Sequence, residues 1–543
     1  MTRLVTVAQM RAIEKAADQR GVSYAQMMQT AGLGLAEIVF KYGLAPLPAD
    51  VRRGGVVGLV GSGNNGGDAL VALAELARRG VPVLAYLLRP RPQDDPLLAQ
   101  VLAAGGECRA VEQDPGFCLC DDWLGRCRVI LDGVLGTGVQ PPLRPEIAAV
   151  FQRIAAYPHS AAIFAVDCPS GADCDTGTVP DETLQADFTV CMGAVKVGLT
   201  HSPALERCGR LMLVDLGLPE DLAEWQAIQD GVVLWQDVQA MLPVRPLDAH
   251  KGTFGTAMVV AGSLNYTGAA YLAARAAYRS GAGLVRLAVP EPLHAALAGV
   301  LPEVTWLLLP HEMGVIAEDA AGVVGRNLER VTALLFGPGL GAEDCTAAFV
   351  RRLLQQAAGG VVANGLGFVP EASVRVVASH GLPALVVDAD GLRLLARIPD
   401  WHRILPAETV LTPHPGEFSL LTGLPVAEVQ ADRVELARQY ARQWGHVVVL
   451  KGARTVVATP DGRTALIPVA TPALARAGTG DVLAGLIAGL RAQGLPAGPA
   501  AQAGAGLHAW AGLAAQTRLG TASSVLASEV LEAVAVVLAA MGR

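Results

Sequence analysis

The residues best suited to chemistry are Ala477–Gly485, reading Ala-Gly-Thr-Gly-Asp-Val-Leu-Ala-Gly. Apolar residues then recur at helical spacing (Val482, Leu483, Leu486, Ile487, Leu490), which predicts a helix. Glycines ahead of a helix let the backbone approach a ligand and aim free N–H groups at it. The helix terminus adds partial positive charge, so the place suits a phosphate. Asp481 would repel that phosphate unless it takes a proton from an attacking hydroxyl while the amides stabilise the transferring group. The competing reading is a simple helix cap by Thr479 or Asp481, with the glycines forming a turn.

A second set of chemical residues lies in the first half. The buried strand Val56–Val60 runs into Gly61-Ser-Gly-Asn-Asn-Gly-Gly-Asp68, and a helix from Ala69 to Arg79 follows. Strand, glycine-rich loop and helix form the layout of a nucleotide site at the carboxyl end of a parallel sheet. Gly61, Gly63 and Gly66 fit the dinucleotide fingerprint, but the acidic residue expected about 20 residues on is missing. The next strand, Val81–Leu88, ends in Arg89-Pro-Arg91. Two further strands run into Asp132-Gly-Val-Leu-Gly-Thr-Gly138 and Asp167-Cys-Pro-Ser-Gly171. Strand ends of one parallel sheet share a rim, so Asp68, Asp132, Asp167 and Ser170 are expected to converge. Close carboxylates raise one another's pKa unless a cation separates them, which leaves a bound cation or a poised acid/base as alternatives. The bland reading is that each aspartate caps its own loop.

The elements behind these loops set the architecture. A capping box at Thr6–Gln9 opens a helix through about Arg20, and a second helix runs from Tyr24 to Tyr42. After a junction at about 226–250 a new series of strands alternates with helices, so the chain is α/β with two domains, 1–225 and 226–543. The second series carries Gly337-Pro-Gly-Leu-Gly341, Asp388-Ala-Asp-Gly391, Thr412-Pro-His-Pro-Gly-Glu417 and Lys451-Gly-Ala-Arg-Thr455. His414, pinned between prolines, suits substrate binding, and Glu417 suits a magnesium ion or a helix cap. Lys451 suits a phosphate, and Asp388 and Asp390 read mainly as a turn. No Walker A sequence is present, which disfavours a P-loop enzyme.

Composition narrows the classes. With 52% hydrophobic and 17% charged residues, the 543-residue chain can bury large cores and is not disordered. A net charge of −8 with no basic run argues against nucleic acid as a partner. No apolar run reaches the roughly 20 residues of a membrane span. Nine cysteines, eight of them in the first 208 residues, form no even framework and read as reduced thiols of a cytoplasmic protein. A homo-oligomer is the expected assembly.

Asn-Asn-Gly-Gly-Asp, Asp-Gly-x-x-Gly-Thr-Gly, Val-Asp-x-Pro-Ser-Gly and Lys196-Val-Gly-Leu199 occur in that order. Over about residues 1 to 225 they resemble the NAD(P)H-hydrate epimerase domain of the YjeF N-terminal family, except that Ala69 stands where glycine is frequent. The resemblance implies a Rossmann-like three-layer fold. It places a potassium ion at Asn65, Asp132 and Ser170. It puts the hydrated cofactor against Asn64, Asn65, Gly66, Gly67, Asp68, Gly136, Thr137, Gly138 and Asp167, with Asp167 catalytic on the nicotinamide.

His250-Lys-Gly-x-x-Gly255, Gly-Pro-Gly-Leu-Gly, Thr-Pro-His-Pro-Gly-Glu, Lys-Gly-x-x-Thr and Gly-Thr-Gly-Asp resemble, over about 230 to 540, the ADP/ATP-dependent NAD(P)H-hydrate dehydratase of the ribokinase-like superfamily. That likeness implies ADP or ATP as cosubstrate, with magnesium, held by Lys451, Gly452, Ala453, Arg454, Thr455 and Gly480. It puts the hydrates NADHX and NADPHX at Ala269, Gly339, His414 and Asp481, with Asp481 catalytic. Three rivals are a vitamin or sugar kinase, an NADP-dependent dehydrogenase using the first domain, and a ligand-binding scaffold with an inactive first domain.

Overall fold

A computed structural model of the chain describes residues 1–47, 54–92, 94–138, 142–357 and 381–543. Backbone contacts divide it into two compact units, Met1–Leu234 and Trp235–Arg543.

The strands of the first unit are β1 (Thr2–Val5), β2 (Val56–Val60), β3 (Val83–Leu87), β4 (Glu107–Ala110), β5 (Val129–Gly133), β6 (Ala162–Val166), β7 (Phe188–Met192), β8 (Val195–Lys196), β9 (Arg210–Val214) and β10 (Asp230–Val232). Seven of them form a sheet in the order β4-β3-β2-β5-β6-β7-β9, parallel at every pairing. β1 pairs parallel with β8 and antiparallel with β10. Every residue of β2, β3 and β5 is buried, as expected for parallel strands covered on both faces. Alternation sends Val56 and Val60 into a core with Leu35 and Leu73. Val57 and Leu59 enter the opposite core with Trp123 and Phe151.

The strand order reverses between β2 and β5, so a crevice opens where both strands end in glycine. Gly61 N–H donates to Gly133 O at 3.1 Å. A Cβ on Gly61 would lie 1.9 Å from Val134 O, so only glycine lets the two strand ends approach. The helix after β2 begins earlier than the sequence predicts, at Asn64 rather than Ala69, and runs to Arg78. Gly66 and Gly67 therefore sit within the helix, and neither has positive φ. They serve close packing: a Cβ would lie 2.1 Å from Gly61 O at one and 2.7 Å from Met28 Sδ at the other. The capping box of Thr6 and Gln9 does open the first helix, Val7–Gln19.

The second unit contains β11 (Thr256–Val260), β12 (Leu284–Pro290), β13 (Thr305–Leu309), β14 (His311–Glu312), β15 (Val315–Ile316), β16 (Ala333–Phe336), β17 (Ala384–Val387), β18 (Val410–Leu411), β19 (Val447–Leu450), β20 (Val456–Ala458) and β21 (Thr464–Leu466). Its main sheet has the order β13-β12-β11-β16-β17-β18-β19-β20-β21. Pairing is parallel as far as β19 and antiparallel at its last two ladders. β14 and β15 form a separate hairpin. The helix Thr479–Ala492 is buried along nearly its whole length. It crosses helix Thr267–Arg279 at glycines: a Cβ on Gly485 would lie 2.2 Å from Ala273 O, and one on Gly489 would lie 2.4 Å from Ala277 O. Among the described residues no helix is long and apolar enough to cross a membrane. All nine cysteines are free.

Gly485→Val is expected to destabilise the second unit by about 1–3 kcal/mol, because the crossing has no room for a side chain. Faster hydrogen exchange across Thr479–Ala492, with exchange in β2 and β5 unchanged, would be its signature.

Candidate functional site

Each unit places its chemical residues at the carboxyl ends of parallel strands. In the first, a cavity of about 1320 Å³ is lined by Asn64, Asn65 and Asp68 from the helix after β2, Gly136–Gly138 from the loop after β5, and Asp167 directly after β6. This exceeds the roughly 300–1,000 Å³ usual for a small-molecule site. Glu14, on helix Val7–Gln19, forms part of another wall. Arg11, Lys15, Arg89 and Arg144 also line the cavity. Of the pair Arg89 and Arg91, the second turns away, bonding Asp95 Oδ2 at 2.6 Å and Gly61 O at 2.8 Å. Arg89 thus stands where a dinucleotide fold would carry its acidic residue.

Asp132 and Ser170 are fully buried and do not line the cavity. Ser170 N–H donates to Asp132 Oδ2 at 2.8 Å, and Ser170 Oγ accepts from Leu135 N–H at 2.9 Å. Asn65 Nδ2 donates to Val166 O and, at 3.3 Å, to Leu135 O. Burial pushes the Asp132 carboxyl up to about 6, against hydrogen bonds from Ser170 that lower it. Its Oδ1 has no hydrogen-bond partner among the described residues. An orphaned buried carboxylate oxygen among carbonyl, hydroxyl and amide groups fits a monovalent cation. Such an ion would require Asn65 to turn its amide oxygen inward, an orientation exchange of nearly equal shape.

Asp167 adopts positive φ, +65°. Its Oδ1 accepts from Met192 N–H at 2.9 Å and from the Lys196 ammonium. Lys196 Nζ also donates to Met192 O and Ala194 O, both at 3.2 Å. Burial alone would lower the Lys196 pKa, but the charge of Asp167, its hydrogen bond and the neighbouring thiols together outweigh burial and hold the ammonium above its ordinary range. The sequence hint was a lone lysine in an apolar run; nothing there identified its partner.

In the second unit, helix Thr479–Ala492 is capped by Gly478 at φ +88° with no side-chain cap. Thr479 Oγ1 donates instead to Leu474 O and Arg476 O, both at 2.9 Å. The simple capping reading therefore fails, and Asp481 stands on the first turn with its carboxyl uncommitted to the amides. Burial, then the charge of Asp388, pushes that carboxyl up to about 7, with Lys451 opposing. Lys451 Nζ lies 2.6 Å from Asp388 Oδ1 and 3.6 Å from Glu417 Oε2. Asp388, directly after β17, is 1% exposed; its carbonyl accepts from Gly391 N–H at 3.0 Å, the turn expected from sequence, and its side chain is in addition an ion-pair partner. Asp390 accepts from Gly341 N–H at 3.0 Å. A Cβ on Gly480 would lie 3.5 Å from Lys451 Nζ and 3.8 Å from Asp388 Oδ2, so this glycine lies over the pair.

His414 caps helix Pro415–Thr422: its Nδ1 accepts from Gly416 N–H at 3.0 Å and Glu417 N–H at 3.3 Å. An accepting Nδ1 carries no proton, and burial lowers the His414 pKa further. Glu417 returns the cap by accepting from His414 N–H at 2.9 Å. Gly339, at φ +63°, packs against Ala269, whose Cβ lies 2.8 Å from where a Gly339 Cβ would be. The Lys451–Thr455 turn is held by Arg433, which donates to Leu450 O at 2.9 Å and Ala453 O at 2.6 Å. Arg433 gave no signal in sequence. Among the described residues no group of three or more His, Cys, Asp or Glu side chains is arranged to hold a metal ion.

Comparison with known proteins adds the following. Residues 257–535 match the family described as NAD(P)H-hydrate dehydratase, and residues 24–198 match the family described as YjeF-related protein N-terminus. The bifunctional NAD(P)H-hydrate repair enzyme of Moorella thermoacetica is 35% identical over 94% of this chain and 92% of its own. That of Salinibacter ruber is 38% identical over 97% of this chain and 95% of its own. Among solved structures, the ADP/ATP-dependent NAD(P)H-hydrate dehydratase from Bacillus subtilis, co-crystallized with ATP and magnesium, is 31% identical. It covers 57% of this chain and 98% of its own, with a TM-score of 0.46.

Lys196→Met strands the Asp167 charge in a buried place and is expected to cost the first unit about 3–5 kcal/mol. Urea unfolding would report it, and adding Asp167→Leu should recover most of the loss.

Proposed function

The chain belongs to the bifunctional NAD(P)H-hydrate repair enzymes, and from that premise we propose how its two units share the work. The first unit interconverts the R and S hydrates of NADH and NADPH. The second dehydrates the S hydrate at the expense of ADP or ATP; with ADP the products are NAD(P)H, AMP and phosphate. A ring hydroxyl is a poor leaving group and its phosphate ester a good one. Asp481 takes the proton of that hydroxyl as its oxygen attacks the terminal phosphorus, and the phosphorus–oxygen bond to the nucleotide breaks. Loss of phosphate, with a proton from the neighbouring carbon, restores the dihydronicotinamide double bond.

The observation that carries this reading is the setting of Asp481. It stands on the first turn of a glycine-capped helix, where free amides stabilise developing phosphoryl charge. Its pKa of about 7 is that of a working base rather than a fixed anion. Lys451, Gly452, Ala453, Arg454, Thr455 and Gly480 hold the nucleotide in this account, and Ala269, Gly339 and His414 bound the hydrate. Magnesium enters with the nucleotide, because an ion of this kind is held mainly by phosphates and water with one or two carboxylates. In the first unit Asn65, Asp132 and Ser170 hold potassium, supported by the unpartnered Asp132 oxygen. A potassium ion held there would supply the charge that keeps Asp132 ionised.

An equal mixture of R and S hydrates tests the division of labour. With ADP or ATP all of it should become NAD(P)H; without a nucleotide none should. A stable phosphorylated product with no phosphate release would mark a small-molecule kinase instead.

Asp481→Asn should lower dehydration by about 10²–10⁴-fold and leave epimerisation intact. A base is active ionised, so the dehydration rate should be full above a pH of about 7 and fall below it. A rate–pH profile of the wild type, flattened in the variant, checks both. Exchanging potassium for a bulky organic cation should lower the first unit's melting temperature, and Asp132→Asn should abolish that dependence.

A further inference from the structure

The proton-transfer groups of the first unit follow from two carboxyls in different environments. This step rests on the reading of that unit as the epimerase. Asp167 is held as the anion, because its Oδ1 receives both Met192 N–H and the Lys196 ammonium. Its Oδ2 is left uncommitted. Asp68 is only 7% exposed and lines the same cavity. Among the described residues its carboxyl accepts no hydrogen bond and forms no ion pair. A buried carboxyl without partners is stable only as the neutral acid. Its surroundings act in the same direction. Burial first, then the charge of Asp167, raises the Asp68 pKa well above the carboxylate range; Lys196 opposes, and Glu14 adds to the rise. The other charged groups lining the cavity are Arg11 and Lys15 on the helix of Glu14, Arg89 after β3, and Arg144.

We propose that Asp68 is the general acid of the epimerisation and Asp167 its paired base. Two titratable groups whose environments hold one neutral and one ionised divide acid and base roles between them. The substrate chemistry calls for such a pair. Water adds to a dihydronicotinamide as to any enamine, so the hydroxyl sits on the carbon next to the ring nitrogen. Inverting that carbon requires its C–O bond to break and re-form. Asp68 gives its proton to the hydroxyl oxygen. The C–O bond breaks, its electron pair leaves with a water molecule, and the nitrogen lone pair closes a C=N bond. A water then adds to the opposite face, the C=N pair returns to nitrogen, and the surplus proton goes to Asp167. Transfer through water from Asp167 back to Asp68 resets the site. Nothing is oxidised or reduced, and no co-reactant is consumed.

The test uses the full-length chain, a single purified hydrate epimer and chromatographic separation of the two. Asp68→Asn should lower the epimerisation kcat by about 10²–10³-fold with KM little changed, and Asp68→Glu should recover part of it. An acid is active protonated, so wild-type epimerisation should fall at high pH. The Asn variant should lack that fall, and Glu14→Gln should move it to lower pH by removing a charge that raises Asp68. Heavy-oxygen water should label the hydroxyl at each inversion. Hydrogen exchange across β2 and β5 at the wild-type rate shows that the first unit of each variant is folded. An Asp68→Asn enzyme that epimerises at the wild-type rate while Asp167→Asn does not would overturn the assignment and leave the epimerase reading standing. A wild-type chain that never interconverts the epimers would overturn both.

Discussion

Two lysines, Lys196 fully buried and Lys451 partly so, each clamped to an aspartate at the end of a parallel strand, organise the two candidate sites. Lys196 meets Asp167 after β6, and Lys451 meets Asp388 after β17. Buried pairs of this kind are weak sources of stability, since desolvating both charges consumes most of their attraction. Their value here is electrostatic. Each fixes one carboxylate as an anion in a poorly screened place. A second carboxyl near that anion, Asp68 in one unit and Asp481 in the other, is pushed toward its neutral form by burial first and by the anion's charge second. A residue that would be a permanent anion on the surface becomes able to give or take a proton well above the ordinary carboxylate range.

The second carboxyl of each pair sits near the start of a helix, and glycines set how closely that helix approaches its neighbours. Gly66 brings the Asp68 helix against the Gly61 carbonyl, and Gly485 brings the Asp481 helix against the Ala273 carbonyl. The abundance of glycine and alanine in this chain therefore does more than fill turns. At Gly66 it shortens the spacing between a strand end and a helix start, and at Gly485 the spacing between two crossing helices. The two units differ in what completes the site. In the first, the proposed seat of the dinucleotide is a large cavity with cationic residues in its walls. In the second, the proposed seat of the phosphate donor is the amides above Asp481 and the turn pinned by Arg433.

Much of this was readable from sequence, because close approach to a ligand leaves marks within a few residues. The glycine-rich loops, the alternation of strands and helices, the capping box at Thr6, and the meeting of Asp68 with Asp167 at one cavity were of that kind, whereas Asp132 and Ser170 bond each other outside its lining. What was not readable depends on partners far along the chain. Lys196 and Asp167 are 29 residues apart, and Lys451 and Asp388 are 63 apart. Without the fold, Asp388 in Asp-Ala-Asp-Gly reads as a turn. The helix start at Asn64 was missed because glycine signals a loop, whereas tertiary packing placed Gly66 and Gly67 inside the helix. Thr479 was a plausible cap by type, but nearby carbonyls captured its hydroxyl instead.

The central claim is that burial, reinforced by the charge of a fixed anion, keeps a neighbouring carboxyl protonated far above its ordinary range. Carbon-13 NMR of the full chain, labelled at the aspartate side-chain carboxyl carbon, measures this directly, with the Asp68 and Asp481 signals identified by their loss in the Asn variants. The account predicts that Asp481 titrates at about 7 and that Asp68 also titrates well above the ordinary aspartate value of about 4. Titration of both near that ordinary value would contradict it.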